Sequence, residues 1–379
     1  MILVSIFIPV LTVAILLYFF KKYVTTWEWI SLLCTSLLVL AGAYFLALEV
    51  SQRDTEYYGG YVRELRYYEP WNERVMRSRE VPCGTDGNGH TEYRTEYYWE
   101  TVWHPESFEI FTNLHECEIP VSEEVFETFK ARFAVKGLFV DMHRAYYTKD
   151  GDAYYYIWDE CRSSFIPYSE AHKYKNPLKY SNSLFKQIDI SKDSAQRLGL
   201  YEYPDINAET YYQPTILGIT PSSQERQAFD FLNGYYGKRH EIRVFFLAYT
   251  KGQSIDISEL QKCYWQGGNK NELVVCVGVD STRHVIWSNS FSWCDAPWLE
   301  VETRLWFSEH DSLDLVEYSR FLEENIPTQW KRKKFSEFSY IRPTLPFEWE
   351  IGVVIITLVF CGGFAVWVVR NDTERGNDE

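Results

Sequence analysis

The chain lacks the short signatures by which chemistry announces itself in a sequence. It has no GxSxG, no HExxH, no P-loop, no dinucleotide fingerprint and no CxxC pair. Nucleophile-elbow, zincin, nucleotide-binding and thioredoxin-like readings therefore have no local support. Charge is missing too, in three long apolar runs: Ile2 to Phe20, Ile30 to Val50 and Ile351 to Val369 hold no Asp, Glu, Lys, Arg or His in their interiors. A proton relay or ion pathway needs polar groups at membrane depth, so these runs read as anchors and packing surfaces. A basic stretch ahead of the first run is likewise absent, and no small-residue cleavage pattern follows it, which argues against a signal peptide.

What is present starts with those runs. Each approaches the ~20 residues that carry a helix across a ~30 Å hydrocarbon core. Tyr18, Tyr23, Trp27, Trp29, Trp349 and Trp367 gather near their ends, as in an interfacial belt. The expected layout is a helical hairpin over residues 1–50, a β-rich soluble part over 51–205, an α/β soluble part over 215–346, and a third span with a short tail over 347–379. The fold class is thus α+β: three transmembrane helices bracketing a soluble domain whose second part is an α/β sandwich. Lys21 and Lys22 in the short loop and Arg370 and Arg375 in the tail place loop 21–29 and tail in the cytoplasm, with the large domain extracytoplasmic. The cluster Lys331, Arg332, Lys333 and Lys334 on the domain side opposes that orientation. Gly362 and Gly363 offer a close approach for another helix, hence homo-oligomerisation through the spans.

Net charge is -15. The first 49 residues contribute none of it and residues 350–379 contribute -3, leaving -12 on the domain. Such a surface repels phosphate, so the expected partners are the lipid bilayer and a protein, and not nucleic acid. Of eight cysteines, six (Cys83, Cys117, Cys161, Cys263, Cys276 and Cys294) fall in the domain, an even number that permits three disulfides. Aromatic residues make up 18% of the chain and cluster as Tyr57–Tyr58, Tyr67–Tyr68, Tyr97–Tyr98, Tyr146–Tyr147 and Tyr154 to Tyr156. Strand propensity accounts for that clustering, and a stacking surface for sugar or peptide is the sharper alternative.

The first part reads as strands, with a hairpin from Arg74 to Pro82 and His90 to Thr101 around residues 84–89. One helix runs from Ser122 to Phe133, with Val125, Phe126, Phe129 and Phe133 along one face. The second part alternates. Ser222 with Glu225 opens a helix to Tyr236 that Gly237 stops, followed by a strand at Ile242 to Tyr249 and a helix from Asp256 that Gly267 and Gly268 close. Strands are expected at Leu273 to Val279, His284 to Ser290 and Leu299 to Trp306, then a helix from Ser312 to Asn325 ended by Pro327.

Two segments raise metal chemistry. Residues 83–90 place Asp86, Asn88 and His90 at alternate positions, as a calcium loop begins, but Thr91 and Tyr97 stand where its Gly and Glu belong, so a polar turn fits better. Asp141 and His143, two apart on an expected strand, with Asp150 and Asp152 in a following turn, are the candidate ligands for a divalent metal, the one cofactor considered. On that cluster rests the alternative function, a metal-dependent hydrolase. The leading reading is a membrane-anchored extracytoplasmic module that binds a protein or cell-envelope component without catalysis.

Several stretches taken together resemble a family. Trp71, Asn72 and Glu73 followed by Cys83 and Gly84, then His104, Pro105 and Glu106, FVDMHRAYY at 139–147, YWQGGNKNELVVC at 264–276 and the FSEFSYI approach to the last run are similar to an uncharacterised family of multi-pass membrane proteins from large tailed phages and bacteria. The resemblance implies architecture and no activity, so it supplies no catalytic residue. Members with added cysteines opposite residues 97–103 suggest a metal knuckle; Tyr97, Tyr98 and Trp99 stand there in this chain. Residues 257–290 are faintly similar to TPM domains, by analogy only.

Overall fold

The computed structural model describes residues 2–21, 24–85, 90–177, 188, 190–205, 209–210, 214–294, 296–338, 340 and 344–375. Asp86 and Asn88 of the calcium-like segment, Lys22 and Tyr23 lie outside the described residues. The chain divides into two compact units. One comprises Met1–Glu56, His172–Ser191 and Lys333–Glu379, the other Tyr57–Ala171 and Lys192–Arg332.

The first unit holds the apolar helices α1 (Ile2–Phe19), α2 (Thr26–Ser51) and, at the far end of the chain, α10 (Phe347–Arg375). The Thr25 amide donates to the Glu28 carboxylate at 2.9 Å, closing the first turn of α2. Val13 and Leu16 pack with Leu32, Phe364, Ala365 and Val369, so α1 contributes to the same bundle as α2 and α10. Leu40, Ala47 and Val353 form a second seam. The outward side chains stay apolar: Phe7, Leu11, Leu38, Phe45 and Val359 are all exposed. Contiguous exposed apolar surface of this kind marks a membrane-facing or partner-binding face. Of the three expected spans, two helices, Thr26–Ser51 and Phe347–Asn371, are long and apolar enough to cross a membrane, while the Ser5–Phe19 stretch of α1 is shorter.

The second unit contains two hydrophobic cores. Around the first lies a mixed-length sheet of β1 (Arg53–Tyr68), β4 (Ser107–Thr112), β5 (Ile119–Pro120), β6 (Leu138–Val140) and β7 (Ala153–Ile157) in the order β5-β4-β1-β7-β6, with β8 (Pro167–Lys175) on β1 and β9 (Glu209–Thr210) on β8. Helix α3 (Glu123–Phe133) covers it, the Ser122 hydroxyl accepting from the Val125 amide and Phe126, Phe129 and Phe133 facing Leu65 and Ile110. Between β1 and β4 the chain leaves the sheet as a separate two-stranded ribbon of β2 (Trp71–Thr85) and β3 (Thr91–His104).

The second core is an α/β layer, as expected. Its sheet is β10 (Ile216–Leu217), β11 (Arg243–Tyr249), β12 (Glu272–Val279) and β13 (Val285–Ser292) in that order, parallel except for β13. Strands β11 and β12 are buried along their full length, which is why both read as apolar runs without alternation. Around it lie α4 (Lys192–Leu198), α5 (Ser223–Phe231), α6 (Gly237–His240), α7 (Asp256–Tyr264), α8 (Pro297–Glu309) and α9 (Leu315–Gln329).

Three expectations change here. Leu299 to Trp306 is helix, not strand: Pro297 starts α8, and Leu299, Thr303, Trp306 and Phe307 are its buried residues, a helical spacing that the alternating β-branched residues masked. Gly237 does not stop the helix that Ser222 opens. The chain passes through a π turn at Leu232–Tyr236 into α6 and ends only at Glu241, which takes the left-handed conformation. Pro327 lies inside α9, whose Asp314 cap accepts from the Val316 and Glu317 amides. All eight cysteines are free thiols, so the even count in the domain does not correspond to disulfides.

Candidate functional site

The β2–β3 ribbon is the most unusual element. Its register pairs Trp71 with His104 at the base and Pro82 with Tyr93 near the tip, where a bulge intervenes. Strand residues alternate in facing, so the ribbon has two faces of different chemistry. One carries Glu73, Arg77 and Arg79 with Tyr98, Glu96, Glu100 and His104. Here Arg77 pairs with Glu100 at 3.0 Å, Arg79 with Glu96 at 2.9 Å and His104 with Glu73 at 3.2 Å. The other carries Asn72, Arg74, Met76, Ser78, Glu80 and Pro82 opposite Trp103, Thr101, Trp99, Tyr97, Thr95 and Tyr93. Met76, Tyr93, Tyr97, Trp99 and Trp103 are each between 56% and 69% exposed on that face. Isolated two-stranded hairpins are marginally stable in water, and this one displays its aromatic side to solvent.

Among the described residues, the contacts that tie the ribbon down gather at its base. Asn72 is buried, and its carboxamide oxygen accepts from the Thr148 amide (2.9 Å) and the Lys149 amide (3.2 Å), while its NH2 donates to the Thr148 hydroxyl (2.7 Å). The Trp71 ring stacks on His104 at 4.1 Å, and the Arg144 guanidinium lies 4.9 Å from the Trp71 centroid while donating to the Gly151 carbonyl. The latch is thus the loop of residues 141–152 between β6 and β7.

That loop holds the candidate metal ligands. One carboxylate oxygen from each of Asp141, Asp150 and Asp152 lies within 4.8 Å of the others. Val140 pairs with Ala153, so Asp141 and Asp152 flank the mouth of one hairpin, which explains their approach. His143 is not part of this group. Strand β6 ends before Asp141, and His143 has left-handed backbone with φ +50, so the expected two-residue alternation does not apply. Its side chain is 84% exposed and its Nδ1 lies 2.9 Å from Asp141 Oδ1. Asp152 Oδ1 is inaccessible to solvent and has no hydrogen-bond partner among the described residues. Three hard oxygens without imidazole suit calcium or magnesium better than zinc.

The segment 264–276 has a structural account. Gln266, Gly267 and Gly268 all take positive φ, and a Cβ on Gly268 would sit 2.6 Å from a Glu272 carboxylate oxygen. The turn delivers the Asn269 amide to Glu272 at 2.7 Å, and Tyr203 donates its hydroxyl to the same fully buried carboxylate. Beside it on β11, the buried Arg243 guanidinium lies between the Tyr57 and Phe245 rings at 4.3 and 4.7 Å. Burial pushes the Glu272 acid up and Arg243 down, each opposed by the charge of the other. Asp230 borders a cavity of about 20 Å³ with Tyr168, Thr215 and Arg243, and burial pushes its carboxyl up to about 7 against the pull of Arg132 and Arg226. Sequence reading missed these buried groups. Glu272 at the head of an otherwise apolar strand was the available signal.

Compared with protein-family models, curated proteins and solved structures, the chain finds no match in any of the three.

Proposed function

We propose that this protein is a membrane-anchored extracytoplasmic module that binds a protein of the cell envelope through the aromatic face of the β2–β3 arm. The observation that carries the reading is the segregation of that ribbon into an ion-paired face and an exposed aromatic face. Aromatic side chains supply large contact area at small entropic cost, which is why they concentrate at binding surfaces. Helix α1, packed with α2 and α10, is the third span, with its shortfall in length met by thinning or flanking residues. The positive-inside rule supports a cytoplasmic loop and tail through Lys21, Lys22, Arg370 and Arg375. Arg332 of the opposing basic cluster is partly neutralised by Glu241 at 3.3 Å, which lowers the weight of that cluster.

Photo-crosslinking in intact cells tests the binding surface, with the crosslinker at position 97 on the aromatic face or 98 on the ion-paired face. Adducts from 97 and few from 98 are expected; equal yields from both, or none, overturn the reading. An impermeant maleimide should label the exposed Cys83 and Cys117 in the same cells. Protection of both until lysis would reverse the orientation.

The acidic trio supports a second reading, a divalent cation held by Asp141, Asp150 and Asp152 that stiffens the latch. It follows from three carboxylates converging with one oxygen unpartnered. Calorimetric titration with calcium and magnesium should show binding that Asp152→Asn abolishes and His143→Ala leaves intact. A hydrolase built on the same cluster would additionally turn over ester or phosphoester substrates only with the metal present.

A further inference from the structure

We infer that the occupant of the aromatic face is a second copy of this chain, packed face to face and antiparallel. The inference rests on the reading that this face is a docking surface and names its partner. Taken from base to tip, the face consists of six cross-strand pairs: Asn72/Trp103, Arg74/Thr101, Met76/Trp99, Ser78/Tyr97, Glu80/Thr95 and Pro82/Tyr93. Their order is close to a palindrome about the level of residue 77. Aromatic pairs lie at positions one, three, four and six, and the two charged pairs at positions two and five have opposite sign.

A twofold axis in the plane between two such faces, perpendicular to the strands at that level, sets each pair on its counterpart in reverse order. Arg74 then meets Glu80 of the second copy, and Glu80 meets its Arg74. Trp99 lies over Tyr97, Trp103 over Tyr93, and Thr101 over Thr95. An isologous interface requires this property, that residue i contacts j while j contacts i. Packing in register with the strands parallel would instead put each guanidinium over a threonine and leave both carboxylates unmatched. Glu80 is exposed and makes no ion pair or hydrogen bond among the described residues, and Arg74 meets only the Trp99 and Tyr147 rings, at 5.5 and 4.9 Å. Both charges are therefore available. Sheets pack face to face at ~10 Å, the reach of aromatic side chains. The six pairs span about 35–40 Å, and because Asn72 is buried against its own loop the free face runs from Arg74 to Pro82 on one strand and from Tyr93 to Trp103 on the other. Twist of the ribbon makes the four central pairs the closest, and they contain both charges and Trp99.

The test is a charge-swap series on the full chain in detergent, followed by sedimentation equilibrium. The native chain should associate to a dimer. Arg74→Glu alone and Glu80→Arg alone should each weaken association at least about tenfold, because like charges then face each other twice. The double variant R74E/E80R should return to within about threefold of native. A monomeric native chain, or a dimer indifferent to all three variants, overturns the inference. The arm reading is judged separately: face-dependent adducts from position 97 at the mass of a different protein would preserve it while removing the second copy as partner.

Discussion

Asp230 is the residue whose energetics are most exposed to pH. Its carboxyl sits at about 7 because burial at the cavity edge disfavours the anion more than Arg132 and Arg226 favour it. The folded state consequently holds a proton that the unfolded state releases near 4. Between those values the native chain binds more protons than the unfolded one, so this group stabilises the fold in acid and loses that contribution as pH rises through 7. Stability should fall with pH across that window by up to about 1.4 kcal/mol per unit. Urea unfolding at pH 5 and pH 7.5 checks it: Asp230→Asn should remove about 2 kcal/mol of the difference between the two conditions. A native chain whose stability is flat over that range would contradict the assignment. No sequence signal marks Asp230, because its neighbours in space come from β1, β8, β11 and Thr215 ahead of β10, and its own helix reads as an ordinary amphipathic stretch.

At the scale of elements, the latch decides whether the arm is held or loose. Asn72 gives its carboxamide to Thr148 and Lys149, and alanine would remove the acceptor of both loop amides at a half-buried contact. The cost is about 1 kcal/mol, felt locally. Asn72→Ala should speed tryptic cleavage after Arg144 and Lys149 at least about tenfold while the α/β layer stays protected. Unchanged cleavage would mean that the stacked Trp71, His104 and Arg144 suffice. Both strands of the arm were legible in the sequence, since period-two alternation and the turn between them are local features. Their isolation was not: an alternating aromatic strand looks identical whether its aromatic face covers a core or meets solvent. For the same reason the α8 segment was misread, its alternating Val301, Thr303 and Leu305 outweighing the helical spacing of Leu299, Thr303 and Trp306. The acidic trio was nearly legible, because Asp150 and Asp152 share a turn and Asp141 faces them across one hairpin. His143 departs from that expectation because β6 ends at Val140 and its own backbone is left-handed.

For the molecule as a whole, the governing fact is that the chain leaves its helical bundle after α2 and returns to it with α10, some 300 residues later. The two helices meet through a polar contact in an apolar setting: the Cys361 thiol donates to the Ser36 hydroxyl at 3.3 Å, with both residues buried. Hydrogen bonds of this kind hold helices together where no hydrophobic driving force operates between them. Sulfur placed at position 36 would stand near the distance from which a disulfide closes with small adjustment. In a Cys34→Ala background, Ser36→Cys should therefore cross-link to Cys361 under mild oxidation. A protease site inserted after Gly252, in an exposed turn, converts that bond into a readout. Cleaved and oxidised S36C chain should run as one species without reductant and as two fragments with it, whereas the Ser36 control should separate in both lanes. Fragments that part in the oxidised S36C sample would mean that α10 does not return beside α2, and the three-helix bundle would have to be redrawn.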